Sequence, residues 1–184
     1  FGGIGCDEIQ FNEKTVWTGR PNGIEKKANY GEYRNFGNLY ISHRGIKTDT
    51  KITDYRRWLD IRNAVAGMTY SIDGVRYDRE YIASSPDGMI AVMLRASGKE
   101  KINVDLLLKD GNTDYNGTAS GTKIDKGNMT FKGKLTYLSY YCRVAVTPYG
   151  KKAKMSINDS ALTITKADSL LVLLSGGTNY STET

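Results

Sequence analysis

Six acidic residues, Asp7, Glu8, Glu13, Asp60, Asp78 and Glu80, are the side chains of this 184-residue chain that could form a general acid and base pair. Cleavage of a glycosidic bond by such groups needs two carboxyls, or a carboxyl and a partner activating water, set across the scissile bond. Asp7 and Glu8 are adjacent, and Asp78 and Glu80 are two apart, too close in sequence to flank a sugar from opposite sides. On a strand, Arg76, Asp78 and Glu80 share one face and Arg79 points to the other. That arrangement suits exposed charge pairing across strands better than catalysis.

Other reactive patterns are weak. There is no G-x-S-x-G elbow and no phosphate-binding loop. Gly2-Gly3-Ile4-Gly5 opens a strand, and Ser175-Gly176-Gly177-Thr178 leaves one. His43, the sole histidine, follows a strand in a polar setting and reads as a surface residue. With no cluster of cysteine or histidine, neither a metal site nor a cofactor is expected. Cys6 and Cys142 stand in apolar, strand-like surroundings and read as two buried thiols rather than a disulfide.

Exposed aromatic rings could bind sugars by stacking, and Trp17, Trp58, Tyr30, Tyr33, Tyr40, Tyr115 and Tyr149 are available. Packing is the ordinary role for both tryptophans. The turn Trp17-Thr18-Gly19-Arg20-Pro21 is the best candidate for an inter-domain or sugar-site loop. Gly19 and Pro21 restrict its backbone, while Trp17 and Arg20 give it an amphipathic and a charged side chain to hold against a partner surface.

The elements that must position these residues are strands. Met68, Tyr70 and Ile72 alternate with polar residues, and Asp73-Gly74 supplies the positive-φ pair of a tight hairpin before Val75, Tyr77, Arg79 and Tyr81. Asp87-Gly88 precedes Ile90, Val92 and Leu94. Ile102, Val104, Leu106 and Leu108 share one face of the next strand, which Asp110-Gly111 closes. Gly111–Gly127 reads as a loop or a weak edge strand. Leu138, Tyr140, Cys142, Val144 and Val146 then line one face of a long strand. Ser156–Asn158, Ala161–Thr165 and Leu170–Leu174 follow, the last apolar on both faces and so central. Asp54–Ala64 has Tyr55, Trp58 and Leu59 at helical spacing, yet is assigned as a strand preceded by a turn. Short strands with turns every ~8–12 residues predict an all-β antiparallel sandwich of two facing sheets with little helix. Val75, Tyr77, Ile90, Val92, Leu94, Val104, Leu106, Val144, Leu162, Ile164 and Val172 are the expected core.

Composition fits one globular domain over residues 1–184, with 39% hydrophobic and 25% charged residues, 20 glycines and 13 tyrosines. The net charge of +6 is dispersed. Its densest runs, Glu25-Lys26-Lys27 and Lys151-Lys152-Ala153-Lys154, adjoin turn signals, which favours solubility over nucleic-acid binding. No apolar run approaches the ~18 residues that span a bilayer. Four sequons, at Asn116, Asn128, Asn158 and Asn179, matter only in a eukaryotic secretory setting.

Three runs carry a resemblance. Asn12-Glu13-Lys14-Thr15-Val16-Trp17-Thr18-Gly19-Arg20-Pro21 is followed by Tyr55-Arg56-Arg57-Trp58-Leu59-Asp60, then by the hairpin from Thr69 that ends Arg79-Glu80-Tyr81-Ile82-Ala83-Ser84-Ser85-Pro86-Asp87. Gly31–Ile41 adds a fourth match. In order and rough spacing these resemble the N-terminal β-domain of family-95 glycoside hydrolases, mostly α-L-fucosidases. The resemblance implies a non-catalytic super-β-sandwich that packs on a catalytic helical barrel of the same protein and helps shape its glycan site. It implies an α-L-fucosidase-like parent that inverts configuration, with its catalytic groups in the barrel, so this chain alone is expected to be inactive. It also implies a missing first strand before Phe1 and a periplasmic or secreted location, with no signal peptide visible; the family's long, largely helical segment ahead of the Gly31–Ile41 strand is here only Asn22–Glu32, which is either a short connection or a segment with residues missing from the chain. A free-standing carbohydrate-binding module is the rival reading.

Overall fold

A computed structural model describes residues 3–19, 31–115, 121–158 and 160–181. Thirteen strands and no helix occur among them, so no helix is long and apolar enough to cross a membrane. In chain order they are β1 (Cys6–Phe11), β2 (Gly37–His43), β3 (Thr53–Asp60), β4 (Val65–Ile72), β5 (Val75–Ser84), β6 (Met89–Ala96) and β7 (Ile102–Asp110). Then come β8 (Lys123–Asp125), β9 (Asn128–Lys134), β10 (Ser139–Tyr149), β11 (Lys154–Asn158), β12 (Ala161–Ala167) and β13 (Ser169–Thr178). They form a five-stranded sheet, β1-β2-β7-β12-β11, and an eight-stranded sheet, β3-β4-β5-β6-β13-β10-β9-β8. Every pairing is antiparallel. The two sheets face each other as the expected sandwich.

Local chemistry explains the elements. Asp73 (φ 48°) and Gly74 (φ 75°) make the tight turn from β4 to β5, the left-handed pair that matches the strand twist. The helix-like spacing in β3 gives way to a strand, because β3 pairs with β4 and its side chains gain cross-strand neighbours. A register shift between Thr53 and Arg56, with Asp54 at φ 55°, is a bulge inside β3, and the turn before the strand lies at 47–50, where Thr50 N donates to the Lys47 carbonyl. β13 lies between β6 and β10, where Leu170–Leu174 was expected to be central. The polar stretch after Asp110 gives turns at 111–114 and the edge strand β8.

The core lies between the inward rows. Val92, Leu94, Val104, Leu106, Val144, Leu162, Ile164 and Val172 are at most 2% exposed. Tyr77 is also buried, whereas Val75 and Ile90 are only half-buried. Both stand near strand ends, where the facing sheet covers them less. Cys142 is buried, but Cys6 is exposed, and both thiols are free. The period of two in β1 places Asp7, Ile9 and Phe11 inward, and therefore turns Cys6 to solvent.

Asp7 is fully buried and Arg79 is 2% exposed, with Arg79 Nη1 3.8 Å from Asp7 Oδ2. Burying a charged pair costs several kcal/mol per ion unless hydrogen bonds complete it. Here they do. Arg79 donates to the Gly3 carbonyl (3.1 Å), the Ile4 carbonyl (2.9 Å) and Tyr70 Oη (2.9 Å). Tyr81 Oη donates to Asp7. This cluster ties β1 of the smaller sheet to β4 and β5 of the larger. Along the outer edge of β1 no strand pairs among the described residues.

Candidate functional site: the loop end of the sandwich

The register brings many strand ends together. Phe11 pairs with Gly37 and Gly37 with Asp110; in the other sheet Asp60 pairs with Val65, Ser84 with Met89, and Tyr140 with Thr178. Interior contacts join the two sheets at this end. Phe36 packs edge-on to Phe131 and Tyr140, and Tyr140 Oη donates to Asp110 Oδ2 at 2.9 Å. Burial pushes the Asp110 carboxyl up in pKa, against hydrogen bonds from Asn112 and Tyr140. Burial and the Asp110 contact both raise Tyr140.

The candidate loop emerges here. Thr18 N donates to the Glu32 carbonyl and Arg34 N to the Val16 carbonyl, each at 3.1 Å, so the segment around Trp17 pairs antiparallel with that around Tyr33. Val16 is fully buried and anchors the turn. The Trp17 and Tyr33 rings meet edge-on at 4.6 Å. Thr18 is half-buried, Gly19 is buried, and Arg20 and Pro21 lie outside the described residues. Thr15 Oγ1 bonds both Glu13 and Thr178, which fastens the loop to the end of β13.

Arg34 fixes the neighbouring loop. It donates to Glu32 at 3.0 Å, Asp114 at 2.7 Å and Asn112 at 3.2 Å, and its guanidinium lies 5.5 Å from the Tyr115 ring centre. Partial burial opposes its charge, but bonds to Asp114 and Glu32 outweigh that and raise its pKa. A cleft of 550 Å³ opens beside it, lined by Asn12, Glu13, Lys14, Tyr33 and Asn35. Tyr33 is 71% exposed, and Asn35 Oδ1 is buried without a protein partner. An open ring face next to amide and charged groups can stack on a sugar ring and bond its hydroxyls. Glu13 itself is occupied by Thr15 N at 2.7 Å.

The remaining candidates are dispersed. Asp78 pairs with Arg76 two residues away on the same strand, at 2.7 Å, and Glu80 pairs across strands with Arg95; both are surface charge pairs. Asp60 accepts from Asn63 Nδ2 at 2.7 Å and from Asn63 N and Arg62 N, and these turn bonds, the side-chain one foremost, lower its pKa. Glu8 accepts from Asn38 and Tyr40 on the outer face of the smaller sheet. Trp58 lies across Gly67, a packing role. Tyr149 is exposed far from the loop end, and Tyr30 lies outside the described residues.

His43 is not a plain surface residue. Its ring meets Tyr77 edge-on at 5.1 Å, Nδ1 bonds the Arg44 carbonyl, and Nε2 is buried without a partner. A carbonyl only accepts, so Nδ1 carries the proton and the ring is neutral. Burial, with the nearby Arg79 charge, lowers its pKa to about 4. Asp7, one of the candidate carboxyls, is instead buried beside Arg79, and one ring was missed from sequence: Tyr141, which the alternation placed opposite Tyr140 and which is 49% exposed.

Residues 23–183 match the family described as glycosyl hydrolase family 65, N-terminal domain. Alpha-L-fucosidase 2 of Arabidopsis thaliana is 28% identical over 127 residues, covering 53% of this chain and 15% of that protein. A solved structure described as "Putative kojibiose phosphorylase from human microbiome" superposes with a TM-score of 0.53 at 12% identity, covering 95% of this chain and 26% of that one. The likeness to the second shows the fold alone. The chain thus spans a small part, about a quarter or less, of each of these proteins.

Proposed function

Because this chain belongs to the N-terminal domains of glycosyl hydrolase family 65, we propose that it is the non-catalytic domain of a family-95-like α-L-fucosidase, packing on a helical-barrel catalytic domain and shaping its sugar site. The observation that carries this reading is an apolar patch beside the loop end: Leu59 is 67% exposed and Ile61 84%. Leu59 and Ile61 line one cleft with Trp58 at the edge of the large sheet, whereas Ile82, in register with Asp60 and Val65, points to the face opposite Leu59. Contiguous apolar surface of this kind marks a contact with another protein surface. The Trp17 loop and Tyr33 then border the mouth of the site. The fucosidase match supports the substrate class, and a periplasmic or secreted location follows from the same reading.

The test has two arms. The 184-residue chain should not hydrolyse nitrophenyl α-L-fucoside above background. In the full-length enzyme, Ile61→Asp should lower the melting temperature of the joined domains, and Trp17→Ala should change KM more than kcat. Turnover by this chain alone, abolished by Asp78→Asn or Glu80→Gln, would put the chemistry in the sheet and refute the reading. Tyr33 and its cleft also favour a free-standing carbohydrate-binding module. Glycan-array binding by the isolated chain, with no effect of Ile61→Asp on stability in the longer protein, would establish that rival.

A further inference from the structure

Three consecutive carbonyl groups ahead of β1 are held by two residues of other strands. Arg79 of β5 donates to the Gly3 carbonyl at 3.1 Å and the Ile4 carbonyl at 2.9 Å. His43 N, at the end of β2, donates to the Gly5 carbonyl at 2.8 Å. Residues 3–5 thus form a strap leading into β1, whose outer edge has no strand beside it among the described residues. Gly3 permits the bend, since a Cβ there would overlap the Cys6 carbonyl oxygen.

Both holders belong to one polar cluster between the sheets. The His43 ring stands edge-on to Tyr77 of β5, its Nδ1 bonds the Arg44 carbonyl, and its Nε2 is buried without a partner. From β4, Tyr70 Oη accepts from Arg79, and from β1, Asp7 lies 3.8 Å from Arg79 and accepts from Tyr81 of β5. Asp105 of β7 is engaged by Arg44 at 3.5 Å, and Asp73 of the β4–β5 turn lies near Tyr77. A proton on Nε2 adds a second buried cation beside Arg79, and a donor with nothing in the cluster to accept it. Asp7, the carboxylate of the cluster, is already held by Arg79 and Tyr81. A buried charge and donor of this kind are costly, and admitting water relieves both.

The geometry points to an acid-released latch: protonation of His43 drives it and Arg79 apart, lets go the Gly3, Ile4 and Gly5 carbonyls, and frees the strap and the start of β1 while the rest of the sandwich stays closed. The strap is the segment suited to open, because β1 is an edge strand paired with β2 alone among the described residues. Linkage sets the range. His43 takes a proton near pH 6.5 once exposed and near 4 while closed, so the latch holds above pH 6.5 and weakens as pH falls. Opening is favoured about tenfold at pH 5.5 and about 100-fold at pH 4, relative to pH 7. The device does not depend on which bond the parent enzyme cleaves.

Hydrogen exchange of the 184-residue chain, followed by NMR at pH 7, 5.5 and 4 and corrected for the free-peptide rate at each pH, tests the latch. The residue-43 amide, bonded to Gly5, should lose protection about tenfold from pH 7 to pH 5.5 and about 100-fold by pH 4. It should also exchange faster than the Val144 and Val172 amides at every pH. Urea at about 1 M should barely change its rate but speed that of Val144, because a local opening exposes little surface. In His43→Phe, which keeps the backbone bond to Gly5, the pH dependence at position 43 should disappear. Constant protection at position 43 across pH would overturn the latch, as would an undiminished pH dependence in His43→Phe. So would equal protection and equal urea response at positions 43 and 144, since the strap would then open only with the whole fold.

Discussion

Replacing His43 by phenylalanine should flatten the acid side of the stability curve. The native ring is neutral and half-buried against Tyr77, with a pKa of about 4 against 6.5 for the free side chain. Between those values the unfolded chain binds a proton that the folded chain refuses, so stability is complete above pH 6.5 and falls as pH drops towards 4. Each tenfold difference in proton affinity corresponds to about 1.4 kcal/mol, which gives a loss of about 3 kcal/mol at pH 4. Phenylalanine keeps the edge-on ring contact and removes the titration. Asp110, whose carboxyl burial pushes up, acts in the opposite direction, gaining stability as pH falls, but is common to both proteins and cancels in their difference. Urea titrations followed by tryptophan fluorescence at pH 7, 5.5 and 4 would measure that difference. The advantage of the phenylalanine protein should grow by about 3 kcal/mol from pH 7 to pH 4. A difference constant to within about 0.5 kcal/mol, or a histidine that titrates near 6.5 by NMR, would refute the reasoning.

Arg79→Met, which strands the buried Asp7 carboxylate, should cost about 3–5 kcal/mol in urea unfolding, and adding Asp7→Asn should restore part of it. Gly67→Val should cost at least about 1–3 kcal/mol and shift the tryptophan emission, because even a Cβ at Gly67 would stand 2.3 Å from the Trp58 ring. A colorimetric thiol reagent at pH 8 should titrate one cysteine in the native chain and two in denaturant. Cys6 is exposed, whereas burial pushes the Cys142 thiol up to about 12; two rapidly reacting native thiols would contradict the packing of β10.

Much of the sandwich was legible because a strand's period of two is written in its side chains. Met68, Tyr70, Ile102 through Leu108 and Leu138 through Val146 all fell on the inward face that their alternation implied. The Asp73-Gly74 turn was legible for a stereochemical reason, since few other pairs accept two left-handed residues. What could not be read was which polar groups would meet Arg79, already placed by alternation in the row of Tyr77 and Tyr81. Asp7, Arg79 and His43 meet only through the packing of β1 and β2 against β4 and β5, and no local pattern encodes a contact between residues 72 apart, as Asp7 and Arg79 are. Cys6 was misread as buried, although Ile9 and Phe11 of the same strand set the phase that turns it to solvent. The loop end was legible in part. Trp17 and Tyr33 were singled out as rings, while their pairing depends on strand order, which one sequence does not state.

The position of β13 has a consequence for synthesis. Seven strands of the large sheet are made before it, as two separate ribbons, β3 to β6 and β8 to β10, and β13 alone joins them. Until residues 169–178 leave the ribosome, the open edges of β6 and β10 both lack their neighbour, and Val92, Leu94, Val144 and Val146 have no finished sheet around them. Closure couples β6 to a strand some eighty positions later, the kind of distant pairing that folds slowly and leaves edges open to wrong partners. The nascent domain must therefore be held soluble until residues 169–178 emerge and then close in one step. Chaperone dependence and low yields of chains cut before Ser169 are the expected signs of that order.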